Sequence, residues 1–177
     1  MQNYIRRLAD IFHETGAIKY GNFTLASGKK SKYKIDAEIV LDNDEGAGII
    51  SNLFSKKIAE LESENKKEYR IAGVAKGGAK VAEIVSKALG RDYVSLNHKN
   101  NEVIGRIDKT EHVILEDVTT TGGSIIKCYE MFLYPTAPVK NTIAIVDRQE
   151  GAAENLAKLG IKHYYFLTKE DLGITEI

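Results

Sequence analysis

The sequence predicts an α/β fold: a central, mostly parallel β-sheet flanked by helices, with a small N-terminal hood. Short apolar runs at 71–75, 113–115 and 142–146 have the character of strands, and each leads through a turn into a segment of helical periodicity. Strands that alternate with helices of about ten to fifteen residues form a parallel sheet covered on both faces. The same three runs pass directly into Lys76-Gly77-Gly78, Glu116-Asp117 and Asp147-Arg148. One parallel sheet puts all three groups at its carboxyl edge, where such folds bind ligands.

Residues 2–15 predict a helix with Ile5, Leu8, Ala9 and Phe12 on one face and Gly16 as its stop. Residues 16–31 combine glycines with short β-prone pieces and predict a hairpin-like excursion outside the core. Tyr33 and Ile35 alternate with Lys32, Lys34 and Asp36, as on a half-buried strand. Asp42 or Asn43 is placed to cap a long helix to about Ser63, with Ile50, Leu53, Phe54, Ile58 and Leu61 on its face. Residues 62–70 form a charged connection, expected as a solvated turn.

After Lys76-Gly77-Gly78, a helix carries Val81, Ile84, Val85, Ala88 and Leu89 and closes at Gly90. Residues 92–96 predict a strand, 97–102 a wholly polar exposed loop, and 103–107 a strand leading back. Ile125, Cys128, Tyr129 and Phe132, at spacings of three, four and seven, predict a helix ending near Pro135. Beyond the 142–146 strand, a helix carrying Ala153, Leu156 and Ala157 runs to Gly160, and residues 164–167 form a last strand. The chain is expected as a single domain, 1–177, with hood elements at about 1–40 and a core at about 41–177.

Composition narrows the class of protein. A chain of 177 residues, 43% hydrophobic and 28% charged, is long enough to bury a real core. Lys plus Arg equals Asp plus Glu at 25 each, which argues against a general nucleic-acid binder. No apolar run approaches the ~18 residues of a membrane span. Arg6, Arg7, Asp10 and His13 interrupt the apolar stretch that a signal peptide needs. Cys128 has no cysteine partner, and its apolar helix face favours packing over nucleophilic chemistry. A cytoplasmic protein with neither nucleic-acid nor membrane partners is expected.

The most informative stretch runs from Val113 to Ser124. An apolar strand ends in Glu116 and Asp117, then Val118, Thr119, Thr120, Thr121, Gly122, Gly123 and Ser124 lead into a helix. Such a loop aims backbone N–H groups and a helix N-terminus at one point, a ready site for phosphate. Phosphate does not explain the two acids, which repel it; acids suit sugar hydroxyls or a cation. Together the parts suggest a ligand with both a phosphate and a ribose.

This stretch closely resembles the phosphoribosyl diphosphate (PRPP) binding motif of type I phosphoribosyltransferases. The resemblance covers nearly the whole chain and is closest to the orotate phosphoribosyltransferase family. Residues 23–31, Phe-Thr-Leu-Ala-Ser-Gly-Lys-Lys-Ser, followed by Tyr33 and Asp36, resemble that family's hood signature. Residues 145–151, Ile-Val-Asp-Arg-Gln-Glu-Gly, resemble its base-recognition segment. The resemblance implies a glycosyltransferase (a pentosyltransferase) that makes orotidine 5′-monophosphate and diphosphate from orotate and PRPP, on the route to UMP. It further implies Mg2+, held mainly through PRPP rather than by a metal site of the protein, and a homodimer.

The same resemblance assigns roles. The loop Thr119, Thr120, Thr121, Gly122, Gly123 and Ser124, with Val118, would hold the 5′-phosphate side of PRPP. Glu116 and Asp117 would hold the ribose hydroxyls, and Lys76 with Gly77 and Gly78 the diphosphate. His98 and Lys99 would also reach PRPP, with Lys99 and Asp117 in catalytic roles. Arg148 would bind orotate, with Thr120 beside it. An arginine suits that task because its fork grips a carboxylate in two places. Two departures stand out. The family's mobile loop carries Arg-Lys, a further Lys and a His, whereas residues 97–102 hold only His98 and Lys99, and Lys99 reads equally as a solvated loop residue. Glu38 stands where many relatives carry a basic residue. Two other readings therefore stay open: a phosphoribosyltransferase for another base, and a non-catalytic PRPP-sensing protein of the same fold.

Overall fold

The computed structural model describes residues 1–24, 28, 30–133 and 136–175. Leu25, Ala26, Ser27 and Lys29 of the hood segment, and Pro135 at the expected helix end, lie outside the described residues. Helix α1 (Gln2–Glu14) leads into an antiparallel pair, β1 (Ile18–Thr24) and β2 (Lys30–Ile35), that forms a two-stranded sheet of its own. Then come α2 (Ala37–Leu41), α3 (Asp44–Asn65), β3 (Arg70–Val74), α4 (Gly77–Leu89), β4 (Tyr93–Asn97) and β5 (Glu102–Ile104). The chain ends with β6 (His112–Thr119), α5 (Gly123–Leu133), β7 (Val139–Asp147), α6 (Ala152–Ala157) and β8 (Lys162–Thr168).

The main sheet has six strands in the order β5-β4-β3-β6-β7-β8. All neighbours pair in parallel except β4 with β5. The expected alternation of strand and helix thus gives the expected sheet. Its two faces separate along β3 and β6, where successive side chains point to opposite sides. Ile71, Val113 and Leu115 join α1, α2, α3 and α4 in one apolar cluster. Ala72, Val74 and Ile114 join Ile125, Cys128 and Phe132 of α5 and Leu156 of α6 in the other.

Several elements differ in extent from the sequence reading. Asn43 is the cap of α3, its side chain accepting from the Gly46 N–H at 2.9 Å, and the helix runs to Asn65 before Lys66 turns left-handed. The 62–70 connection is largely solvated, as expected, with residues 63–68 and 70 exposed, but it is also tied down: Glu62 pairs with Arg91 at 2.5 Å and Lys67 pairs with buried Glu111. Helix α2 buries Ala37, Val40 and Leu41 in five residues, too short for periodicity to show. The polar 97–102 stretch is a hairpin, with Asn97 and Glu102 paired across it and a tight turn at 98–101. Helix α6 ends at Ala157, three residues before Gly160.

One contact sets how closely α4 lies on the sheet. A Cβ on Gly73 would overlap the Gly78 carbonyl and sit 2.7 Å from the Ala79 Cα and the Ala82 Cβ. The bare glycine lets the first turns of α4 settle directly on β3. Gly73→Ala is expected to cost about 1–3 kcal/mol, the range for overpacking a dense core. That lowers the melting temperature by roughly 2–12 °C. A calorimetric scan checks it, and an unchanged melting temperature would mean that α4 can slide outward without loss.

Candidate active site

The carboxyl ends of β3, β6 and β7 lie side by side, because the three strands are adjacent and parallel. Each ends in one of the polar groups picked out in the sequence. Lys76 is exposed at the N-cap of α4, while Gly77 and Gly78 are buried in its first turn. The peptide bond between Ala75 and Lys76 is cis. A side chain at Gly77 would run into the Asp117 carboxylate, and one at Gly78 would come within 2.5 Å of the Leu115 carbonyl. The two glycines therefore press the N-terminus of α4 against both acids. An anion bound over that turn meets its backbone N–H groups and Lys76 together.

Both acids belong to strand β6, which runs through Thr119, rather than to the turn beyond it. Glu116 is 6% exposed, and its Oε1 accepts the Asp117 N–H at 3.1 Å. Burial pushes the Glu116 carboxyl well above the usual carboxylate range; the neighbouring Asp117 charge and a hydrogen bond between the two side chains push the same way. Glu116 is thereby held toward its neutral form. Asp117 is only half-buried and turns toward the glycine turn of α4.

The loop after β6 is short. Thr119 is the last strand residue, residues 120–122 make the bend, and Gly123 and Ser124 already open α5. Gly122 adopts φ +76°, a left-handed conformation that a residue without Cβ enters freely. Asn155 of α6 donates to the Thr121 carbonyl at 3.0 Å and fixes the bend. Glu116, Val118, Thr119, Thr120, Gly122, Gly123 and Ser124 line one small concavity. The N-terminus of an 11-residue helix opens onto it, as an anion site requires.

Arg148 follows β7, and its N–H donates to the Thr119 carbonyl at 2.9 Å, so the arginine segment and the loop are tied through the main chain. Its side chain is 5% exposed, with Ser31 and Tyr33 of the hood against it. Nε donates to the Tyr33 hydroxyl at 3.0 Å and pairs with Glu150 at 3.0 Å; Nη2 donates to Ser31 Oγ at 3.1 Å. The guanidinium also stacks on the Tyr33 ring, 4.1 Å from its centre. Gln149 has φ +58°, and its N–H is held by Asp147 Oδ1 at 2.6 Å, which shapes the turn that presents Arg148.

His98 and Lys99 sit on the 98–101 turn. Burial first, then the charges of Lys127 and Lys99, lowers the His98 pKa and keeps the ring neutral near pH 7. Lys99 is exposed, and its backbone N–H donates to Asn97 Oδ1 at 3.1 Å. Among the described residues, Lys99 forms no hydrogen bond or ion pair with another candidate site residue. Cys128 is buried, with its thiol pushed up to about 12 by burial, which suits packing and not nucleophilic attack. Sequence reasoning missed the grip of Ser31 and Tyr33 on Arg148 and the tie from Asn155. The alternation along β2 signalled that Tyr33 is half-buried; nothing in it named the partner.

No group of three or more His, Cys, Asp or Glu among the described residues is arranged to hold a metal ion. Two adjacent acids match a cation that brings most of its own oxygen ligands, as Mg2+ does when it arrives on phosphate. No described helix is long and apolar enough to cross a membrane.

A parallel sheet whose carboxyl edge sets a phosphate-type loop beside two acids, under an N-terminal hood, is the architecture of the type I phosphoribosyltransferases. No protein-family model matches the chain. The orotate phosphoribosyltransferase of Methanococcus maripaludis is 35% identical to it, over 97% of this chain and 93% of that one. That of Pyrococcus horikoshii is 34% identical over 93% and 91%. The crystal structure of orotate phosphoribosyltransferase from Aeropyrum pernix superposes with a TM-score of 0.81 at 28% identity, covering 93% of this chain and 96% of that one. The chain belongs to the orotate phosphoribosyltransferase family.

The raised Glu116 pKa makes a pH-dependent stability difference. Folding disfavours ionisation of this carboxyl, so the stability tied to its neutral form is complete below the ordinary glutamate value and is lost as pH rises toward the folded value. Glu116→Gln removes the ionisable group. Relative to wild type, the variant is expected to gain stability progressively as pH rises from about 4.5 through neutrality. Thermal unfolding across that range checks this, and a constant difference would show that Glu116 titrates normally.

Proposed function

We propose that this chain is an orotate phosphoribosyltransferase that transfers the phosphoribosyl group of PRPP to orotate, giving orotidine 5′-monophosphate and diphosphate for UMP synthesis. The single observation that carries the reading is the meeting of three groups at one sheet edge: Lys76-Gly77-Gly78, Glu116-Asp117 with its loop, and buried Arg148. The roles follow from charge. The loop from Thr119 to Ser124 takes the 5′-phosphate, and Asp117 with Glu116 takes the ribose hydroxyls. Lys76 with the α4 N-terminus takes the diphosphate. Arg148, with Thr120 beside it, takes the orotate carboxylate.

The reaction is a displacement at the anomeric carbon, with positive charge gathering on the sugar and negative charge on the departing diphosphate. The protein contributes by positioning and by fixed charge at both ends. Ionised orotate is already a nucleophile, so no strong base is needed. Mg2+ would arrive with PRPP and would supply positive charge against the diphosphate, and half-buried Asp117 would be the acid able to meet it. A homodimer acting in the cytoplasm, with hood elements at about 1–40 over a core at about 41–177, completes the reading.

Purified protein with PRPP, Mg2+ and orotate tests it through the loss of orotate absorbance. Steady consumption supports the reading; none, with PRPP still bound, favours a PRPP sensor. The specific observation on the sensor's side is the tight 98–101 turn with Lys99 as its one lysine.

Two substitutions probe the two ends of the site. Arg148→Ala is expected to raise the orotate KM by about 10- to 150-fold, matching the ~1.5–3 kcal/mol of a charge-assisted hydrogen bond, with a much smaller effect on the PRPP KM. Lys99→Ala is expected to lower kcat at least about tenfold while PRPP still binds, because stabilising diphosphate as it leaves belongs to the transition state. Steady-state kinetics with each substrate varied in turn check both. Wild-type turnover by Lys99→Ala would remove that lysine from the chemistry.

A further inference from the structure

The hydrogen atoms around Arg148 can be assigned one by one. The Ser31 hydroxyl donates to the Tyr33 carbonyl at 2.7 Å. Its oxygen accepts the Tyr33 N–H at 3.3 Å and the Arg148 Nη2–H at 3.1 Å, so Ser31 has no hydrogen left to offer. Tyr33 is different. Its phenol oxygen accepts from Arg148 Nε at 3.0 Å, and a phenol has one further hydrogen of its own to give. No described residue accepts that hydrogen. On the guanidinium, Nε and Nη2 are engaged, and Nη1 has no partner among the described residues.

We propose that Tyr33 is a specificity-determining residue that donates its phenolic hydrogen to the substrate base beside Arg148. This rests on the reading of Arg148 as the base-binding arginine. The ring, stacked on the guanidinium at 4.1 Å, and the hydrogen bond from Nε hold the hydroxyl beside the arginine. The phenol hydrogen asks for an acceptor, which the carboxylate of orotate supplies and uracil lacks at that position. A base with hydrogen or an amino group at that position leaves the half-buried phenol without an acceptor beside buried Arg148, and a donor left unpaired discriminates against such a base. The hood thus supplies a selecting group as well as a cover.

The test is Tyr33→Phe, which keeps the stacked ring and removes only the hydroxyl, beside wild type and Arg148→Ala. Steady-state kinetics are measured with orotate, with uracil (which lacks the carboxylate) and with PRPP varied. Tyr33→Phe is expected to raise the orotate KM about tenfold while the PRPP KM and kcat stay within about twofold. Its kcat/KM for uracil, measurable at high enzyme concentration, is expected to stay within about twofold of wild type, so the preference for orotate falls. A purely structural hydroxyl would shift both substrates together and lower the melting temperature. An orotate KM that does not move, or equal losses with orotate and uracil, overturns the inference while Arg148→Ala remains impaired. If wild type consumes no orotate, or Arg148→Ala keeps the wild-type orotate KM, the functional reading itself fails and the inference with it.

Discussion

Everything at the sheet edge depends on how near the N-terminus of α4 comes to the end of β6. Gly73 lets the helix down onto β3, and Gly77 and Gly78 let its first turn touch Asp117, Glu116 and the Leu115 carbonyl. Without that approach the acids and the helix N-terminus would be separate features of neighbouring strands. With it, a group that attracts anions and a group that attracts hydroxyls or a cation face the same space. That combination explains why acids stand beside a phosphate-type loop at all, since either alone suits a different ligand.

The approach also sets the charge of the site. Pressing the helix turn over β6 takes Glu116 out of water and next to Asp117, and the burial favours its neutral form. A neutral Glu116 can both donate and accept hydrogen bonds, as a sugar hydroxyl can. At the far side of the loop, main-chain hydrogen bonding carries the geometry across to β7, where Thr119 holds Arg148. The arginine in turn is clamped by a ribbon that belongs to no other part of the sheet. The two acids and Arg148 are therefore built on adjacent strands, and in the proposed reading these are the sugar end and the base end of the site.

Much of this was legible in the sequence because it is local. Strand runs ending in Lys76-Gly77-Gly78, Glu116-Asp117 and Asp147-Arg148 fix their own positions at the carboxyl edge once the sheet is parallel. The loop from Thr119 to Ser124 announces itself by its glycines and hydroxyls. What the sequence hid is long-range or short-lived. Tyr33 and Arg148 meet across 115 positions of chain, and no periodicity reports a pairing of that kind. Helix α2 is too brief to show a face. The 97–102 stretch reads as a loop between two strands, and only its ends were hidden: backbone pairing of Asn97 with Glu102 needs no apolar side chain, so the turn shrinks to 98–101. The neutral tendency of Glu116 is a property of its burial, which an acidic letter alone does not reveal.

The claim at the centre of this account is that glycine-permitted contact between α4 and Asp117 makes the PRPP site. The most direct measurement is calorimetric titration of PRPP with Mg2+ into wild type and into Gly77→Ala, whose added methyl group must displace the Asp117 carboxylate. The flexible carboxylate can move aside, so the variant is expected to stay folded at the titration temperature and to bind PRPP at least about tenfold more weakly, a loss of about 1.4 kcal/mol. Wild-type affinity in a folded Gly77→Ala protein would contradict the account.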